Sequence, residues 1–114
     1  MKAFHYTEVP AQPVEGLEGV TIRWVMAENV SAPHFATRVI EVQPGAATEQ
    51  HRHDWEHEVF VLAGEGVARH ANAEYPVRAG SCVYVAPNEV HNFANTGDSV
   101  LRIICIVPLP PKTD

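Results

Sequence analysis

Four histidines carry most of the chemistry that can be read from this chain. His51, His53 and His57 stand at spacings of two and four residues, and His91 follows at a distance. Neutral imidazole is a good ligand for divalent manganese, iron, zinc, nickel or copper. Alternate residues of a strand face one way, so His51 and His53 point to one side and Arg52 to the other. His57 opens a further strand after the corner Asp54-Trp55-Glu56. On that strand Val59 and Val61 share its face, while Glu58, Phe60 and Leu62 share the opposite one. A polar ring at the mouth of a valine-lined face suits a buried metal site. Alone, a His-x-His pair is a weak signal, because most such pairs are exposed strand residues. A slip of one position would put Glu58 in place of His57 and change the face.

The elements that must position these rings read as strands. Residues 1–19 contain Pro10, Pro13, Gly16 and Gly19 and are expected to drape over the domain as an arm, with one short edge strand. Strands are predicted over 21–27, 34–43, 48–53 and 57–63, and Gly64-Glu65-Gly66 turns the chain into 67–70. A polar hairpin tip at 71–74 leads into 75–78, followed by strands at 82–86, 90–94 and 99–107. The loop 28–33 is too short for a real helix. Asn95-Thr96-Gly97-Asp98 reads as a tight hairpin loop with Gly at positive φ. Pro108-Leu109-Pro110-Pro111 is expected to stop the last strand and leave 108–114 as a loose tail. Short strands with a turn signal every 8 to 12 residues or so indicate an all-β sandwich or barrel.

Residues 45–64 and 80–95 resemble the two signature blocks of the cupin superfamily. The first block is Gly, five residues, His-x-His, three or four residues, Glu, six residues, Gly. Here it stands as Gly45, residues 46–50, His51-Arg52-His53, residues 54–56, and Gly64 as the closing glycine. The second is Gly, five residues, Pro-x-Gly, two residues, His, three residues, Asn. Here it stands as Gly80, Ala86-Pro87-Asn88, His91 and Asn95. Counting back from Gly64, the family's metal-binding Glu falls on His57, and Ala86 and Asn88 replace its Pro and Gly. The Trp-Glu-His-Glu run is similar to compact single-domain bacterial cupins that hold a metal with four histidines. The resemblance therefore implies a double-stranded β-helix, a jelly-roll barrel of two antiparallel sheets. It implies one divalent transition metal on His51, His53, His57 and His91, and commonly a homodimer. Three histidines and a glutamate would leave such an ion one positive charge, whereas four neutral histidines leave both. The latter site is the stronger Lewis acid and disfavours a higher oxidation state.

Val59, Val61, Phe93 and Cys105 are candidates for the pocket wall, with Tyr84 in phase with Cys82. Arg38, mid-strand among apolar neighbours, could bind a substrate carboxylate, although an ion pair with Glu41 or Glu58 is the plainer expectation. Trp24 and Trp55 could border an entrance, and Glu56 or Glu58 could accept a hydrogen bond from a ligand imidazole. His5, His34 and His70 lack partners at ligand spacing. A chain of 114 residues is expected to be one domain, 1–114. Its formal net charge of −6 argues against nucleic acid or an anionic membrane as partner. No apolar run approaches the ~20 residues that cross a bilayer. Cys82 and Cys105 make no disulfide framework, and with no export signal a cytoplasmic protein is expected. The function these features predict is a metal-dependent oxidoreductase, dioxygenase-like or peroxide-using, acting on a small organic substrate. A metal-dependent isomerase or lyase and a non-catalytic small-molecule binder are the alternatives.

Overall fold

Strong alternation of apolar and polar residues writes most of this architecture. The computed structural model describes residues 1–109. It has nine strands: β1 Gln12–Pro13, β2 Val20–Met26, β3 Phe35–Val42, β4 His57–Ala63, β5 Glu65–His70, β6 Ala73–Arg78, β7 Cys82–Val85, β8 His91–Asn95 and β9 Leu101–Pro108. They form one sheet ordered β1-β2-β3-β9-β4-β7 and another ordered β6-β5-β8, with every named pairing antiparallel. This is the all-β, two-sheet jelly roll expected. On β4, His57, Val59 and Val61 are buried while Glu58, Phe60 and Leu62 are exposed. On β9, Leu101, Ile103, Cys105 and Val107 are buried. These inward residues join Ala36, Ile40 and Val42 of β3 and Ala68, Val77 and Phe93 of the smaller sheet in one apolar core.

Register fixes what lies beside the histidines. Arg38 on β3 pairs with Cys105 on β9, and Cys105 pairs with Val59 on β4. A row of three adjacent strands thus carries these residues to the same level. The arm is fastened to the outer side of the large sheet. Arg23 Nη1 donates to the Val9 carbonyl at 2.6 Å, and Arg23 and Arg102 both lie over the Tyr6 ring. Glu41 is taken by Arg102 at 2.8 Å and by Arg23 at 3.7 Å.

Three expectations are corrected. Residues 48–53 form no strand; isolated bridges, Ala47 to Ala94 and His51 to His91, and a bond from Thr48 N to the Phe93 carbonyl at 2.8 Å tie this segment to β8 without a continuous ladder. Thr48 side-chain oxygen accepts from Phe93 N at 2.9 Å and its carbonyl from Asn92 Nδ2 at 3.2 Å, so side chains interrupt a regular ladder. The 95–98 segment is not a hairpin, because β8 and β9 belong to different sheets. Gly97 has no positive φ there, whereas Asn88 does, at 68°. That is the position where the signature block has glycine, and Asn tolerates the left-handed region. Pro108 ends β9 opposite Phe35, and Leu109 N donates to the His34 carbonyl at 2.9 Å, so the supposed loose tail does not begin at 108. Residues 110–114 lie outside the described residues.

Asn95 is the clasp at the crossing between sheets. Its buried amide donates to the Val42 and Ser99 carbonyls, both at 2.8 Å, while its oxygen accepts from Gly97 N at 2.9 Å. Replacing it with Ala leaves the buried Val42 carbonyl of β3 without its partner and frees the 96–99 turn from β8. Asn95→Ala should lower unfolding free energy by about 2–4 kcal/mol, seen as a lower urea midpoint at unchanged slope. A midpoint within error of the wild type would show that the clasp carries no load.

Candidate metal centre

Two backbone contacts assemble the histidines. His51 N donates to the His91 carbonyl at 3.2 Å and His91 N returns a bond to the His51 carbonyl at 3.0 Å. Asn88 N donates to the His53 carbonyl, which ties the corner to the turn before β8. His57 enters from β4, buried, with Glu58 exposed on the other face. All four rings therefore meet. Neighbouring centroids are separated by 4.3 Å for 51–53, 5.1 Å for 53–57, 5.0 Å for 57–91 and 5.0 Å for 51–91. The diagonals, 51–57 and 53–91, are 6.4 and 6.3 Å. Six equal separations would describe a closed tetrahedral set; four short and two long describe a puckered quadrilateral. As the side chains stand, no group of three or more His, Cys, Asp or Glu among the described residues is arranged to hold a metal ion.

The fit of these residues to an ion can be judged from their hydrogen bonds. His91 Nδ1 lies 2.8 Å from the Glu89 carbonyl, which can only accept, so Nδ1 carries a proton and Nε2 is the nitrogen left to face an ion. His57 Nδ1 is 3.3 Å from Cys105 Sγ, while His57 Nε2 is enclosed and has no partner. An enclosed ring nitrogen without a partner is costly unless something binds it. Burial, then Arg38 and the other rings, depresses the His57 pKa to about 3. His51 is lowered by burial and then by His53 and His91, and His53 by burial and then by His91 and Arg38. Neutral imidazoles with free lone pairs are what metal ligation requires.

A search of known families matches a cupin domain to residues 38–107, more than half the chain. The chain belongs to the cupin family. The cupin is 27% identical over 109 residues to the oxalate-binding protein of Thermotoga maritima, covering 90% of each chain. It superimposes on the polyketide cyclase RemF of Streptomyces resistomycificus with a TM-score of 0.89 at 27% identity, covering 99% of this chain and 82% of that one. A sugar phosphate isomerase from Silicibacter pomeroyi shares only the fold, with a TM-score of 0.83 at 16% identity over 96% and 77% of the two chains. One barrel thus hosts different chemistries.

Around the cluster of this cupin, Val59, Val61 and Phe93 are buried, and the Phe93 ring lies 6.3 Å from His91. Cys105 is buried, and burial pushes its thiol pKa up, partly offset by Arg38. Arg38 does not pair with Glu41 or Glu58: its Nη2 donates to Cys105 Sγ at 2.9 Å, 3.5 Å from His57 Nδ1, and its guanidinium lies over Trp24. Tyr84 is largely exposed, and it lines the cleft that reaches His91. Glu56 and Glu58 are exposed and bond to none of the four rings. Trp55 stacks on His53, with centroids 4.5 Å apart and planes 3° apart. His70 is not isolated, since it bonds the Val90 carbonyl at 3.1 Å and meets Glu89 at 3.3 Å.

Sequence reasoning missed a cleft of about 480 Å³ between β7 and the smaller sheet, which reaches His91 and Phe93. Ala68, Tyr75, Val77, Val83 and Val85 also line it. The inward parity of Val83 and Val85 was readable, but the gap between sheets that opens the cleft depends on the topology.

The depressed His57 pKa gives a pH prediction for metal-free protein. Below the unfolded value of 6.5 the unfolded chain takes up a proton that folded His57 refuses until about pH 3. Stability therefore falls as pH drops from 6.5 towards 3, and is independent of this group above 6.5. The melting temperature of His57→Leu should fall less over that window than that of the wild type. Parallel curves for the two proteins would contradict the assignment.

Proposed function

We propose that His51, His53, His57 and His91 hold one divalent transition-metal ion, and that this cupin acts as a Lewis-acid enzyme on a small organic molecule. The observation that carries this is the meeting of four imidazoles around an enclosed, unpartnered His57 Nε2, with burial holding the pKa of His51, His53 and His57 down. Manganese, iron, zinc, nickel and copper all suit imidazole. When bound, such an ion supplies polarisation of a carbonyl or enolic oxygen. The chain supplies the rest. The Glu89 carbonyl holds His91 in one tautomer, and Cys105 Sγ stands as the acceptor for His57 Nδ1–H. The cleft beside His91 has a volume suited to a molecule of one to three rings, and its walls combine Val77, Val83, Val85 and Phe93 with the polar Arg69, His70 and Asn92. Four uncharged donors favour Lewis acidity over change of oxidation state, and likeness to a polyketide cyclase agrees with non-redox ring chemistry.

A second reading is the oxidative one, in which the same ion serves a dioxygenase-like or peroxide-using reaction. The dry surround of Val59, Val61 and Phe93 favours it, because reactive oxygen species survive longer there. Likeness to an oxalate-binding protein also keeps a ligand-binding role without turnover in view. Consumption of oxygen or peroxide, set against ring closure or isomerisation of diketone and aromatic substrates, separates the three.

Protein purified without a histidine tag should carry close to one transition metal per chain, and His53→Ala should lose it and melt at lower temperature. Unchanged metal content in His53→Ala would defeat the proposal. Loaded with cobalt(II), the wild type should show the weak d–d absorption of a five- or six-coordinate ion, not the intense bands of a tetrahedral one.

We also propose a homodimer in the cytoplasm, where free Cys82 and Cys105 remain reduced. Among the described residues no helix is long and apolar enough to cross a membrane. Phe60, Leu62 and Tyr84 expose an apolar patch on the outward face of β4 and β7, beside the half-exposed Ile104 and Ile106 of β9. A second copy of the same patch would cover it. Light scattering should give twice the chain mass for the wild type and the chain mass for Phe60→Glu; a wild-type monomer at high concentration would refute the dimer.

A further inference from the structure

We propose that Arg38 is the carboxylate-binding residue of this cupin, and that its ligand is a small organic acid. The inference deepens the function proposed above and rests on it only in placing the acid beside the histidine cluster. The argument begins with a missing counter-ion. The chain has 14 acidic residues, so carboxylates are not scarce. Among the described residues Glu41 goes to Arg23 and Arg102, Glu74 to Arg69, and Glu89 to His70. None goes to Arg38. Its neighbours are Cys105, Trp24 and His57, none of which is an acid.

The guanidinium is nevertheless held in place. Arg38 stands on β3 directly across from Cys105 on β9, and its Nη2 donates to the thiol sulfur at 2.9 Å. The face of Trp24 lies 5.2 Å from the guanidinium carbon. A thiol is a weak acceptor and an indole face a partial one, so both orient the group without neutralising it. Donors remain. Among the described residues Nε is enclosed without a partner, and Nη1 has no acceptor and is not among the enclosed unpartnered atoms. A charged donor is therefore open to a ligand, one imidazole ring from the interior of the cluster.

Charge matching selects the anion. A half-buried single positive charge is satisfied by a single negative one, and a planar guanidinium fits a planar carboxylate. Phosphate dianions call for more donors, and no glycine-rich phosphate loop is present in this chain. The carboxylates that act on the cluster, Glu49 on His51 and Asp54 on His53, weigh less than burial and the neighbouring rings, so a bound cation would add positive charge that an acid would offset.

The test is calorimetric titration with benzoate and oxalate, their neutral amides, and inorganic phosphate. It is run on wild type, Arg38→Met and Arg38→Lys, each checked for metal content and melting temperature, in metal-loaded and metal-free form. Wild type should prefer each acid over its amide by tenfold or more. Arg38→Met should weaken acid binding about 10- to 100-fold without changing the amides, and Arg38→Lys should restore part of it. Equal acid binding by Arg38→Met, no acid binding by wild type, or phosphate bound more tightly than either acid would each overturn the assignment. Failure to take up metal would count against the metal proposal alone, because acid–amide discrimination is also read on metal-free protein.

Discussion

The reciprocal hydrogen bonds between the backbones of His51 and His91 are the constraint on which the site depends. They join a segment that precedes β4 to the first residue of β8, 40 positions later in the sequence. They set His51 against His91, while Thr48 on one side and the Asn88 contact to the His53 carbonyl on the other anchor the rest of the segment. The segment is irregular because Thr48 spends its side chain and carbonyl on β8. It is positioned by two bridges and an Asn88 contact, not by a ladder. A scaffold of this kind sets ring positions closely while leaving ring orientation to side-chain rotation.

The second constraint is electrostatic. Arg38, Cys105 and Val59 occupy one row across β3, β9 and β4, which brings a permanent positive charge against His57. That charge reinforces burial in keeping the ring neutral. Elsewhere in the large sheet cations are paired, as Glu41 shows with its two arginines. The contrast between a paired outer face and an unpaired inner arginine is the feature of the charge distribution with the clearest functional bearing.

Much of this was legible in the sequence because strand parity is rigid. Once β4 was placed, the inward turn of His57, Val59 and Val61 and the outward turn of Glu58 followed from period two alone. Asn88 in a left-handed turn was legible from the signature spacing. What parity could not supply was which strands become neighbours. The pairing of Arg38 with Cys105, the separation of β8 from β9 into different sheets, and the cleft between β7 and the smaller sheet all depend on topology. Tyr84 shows the limit from the other side: it and Cys82 are exposed along β7, yet both line the cleft that the topology opens towards His91. For Arg38 the sequence points to Glu41 or Glu58 as the plainer partner, because it cannot show that Arg23 and Arg102 take Glu41.

X-ray absorption on zinc-loaded protein tests the central claim most directly, since it counts the imidazoles around the ion. The account predicts a first shell dominated by nitrogen, with the outer-shell scattering of four imidazole rings and no sulfur. A shell of oxygen with two or fewer imidazoles, or one containing the Cys105 sulfur, would contradict it.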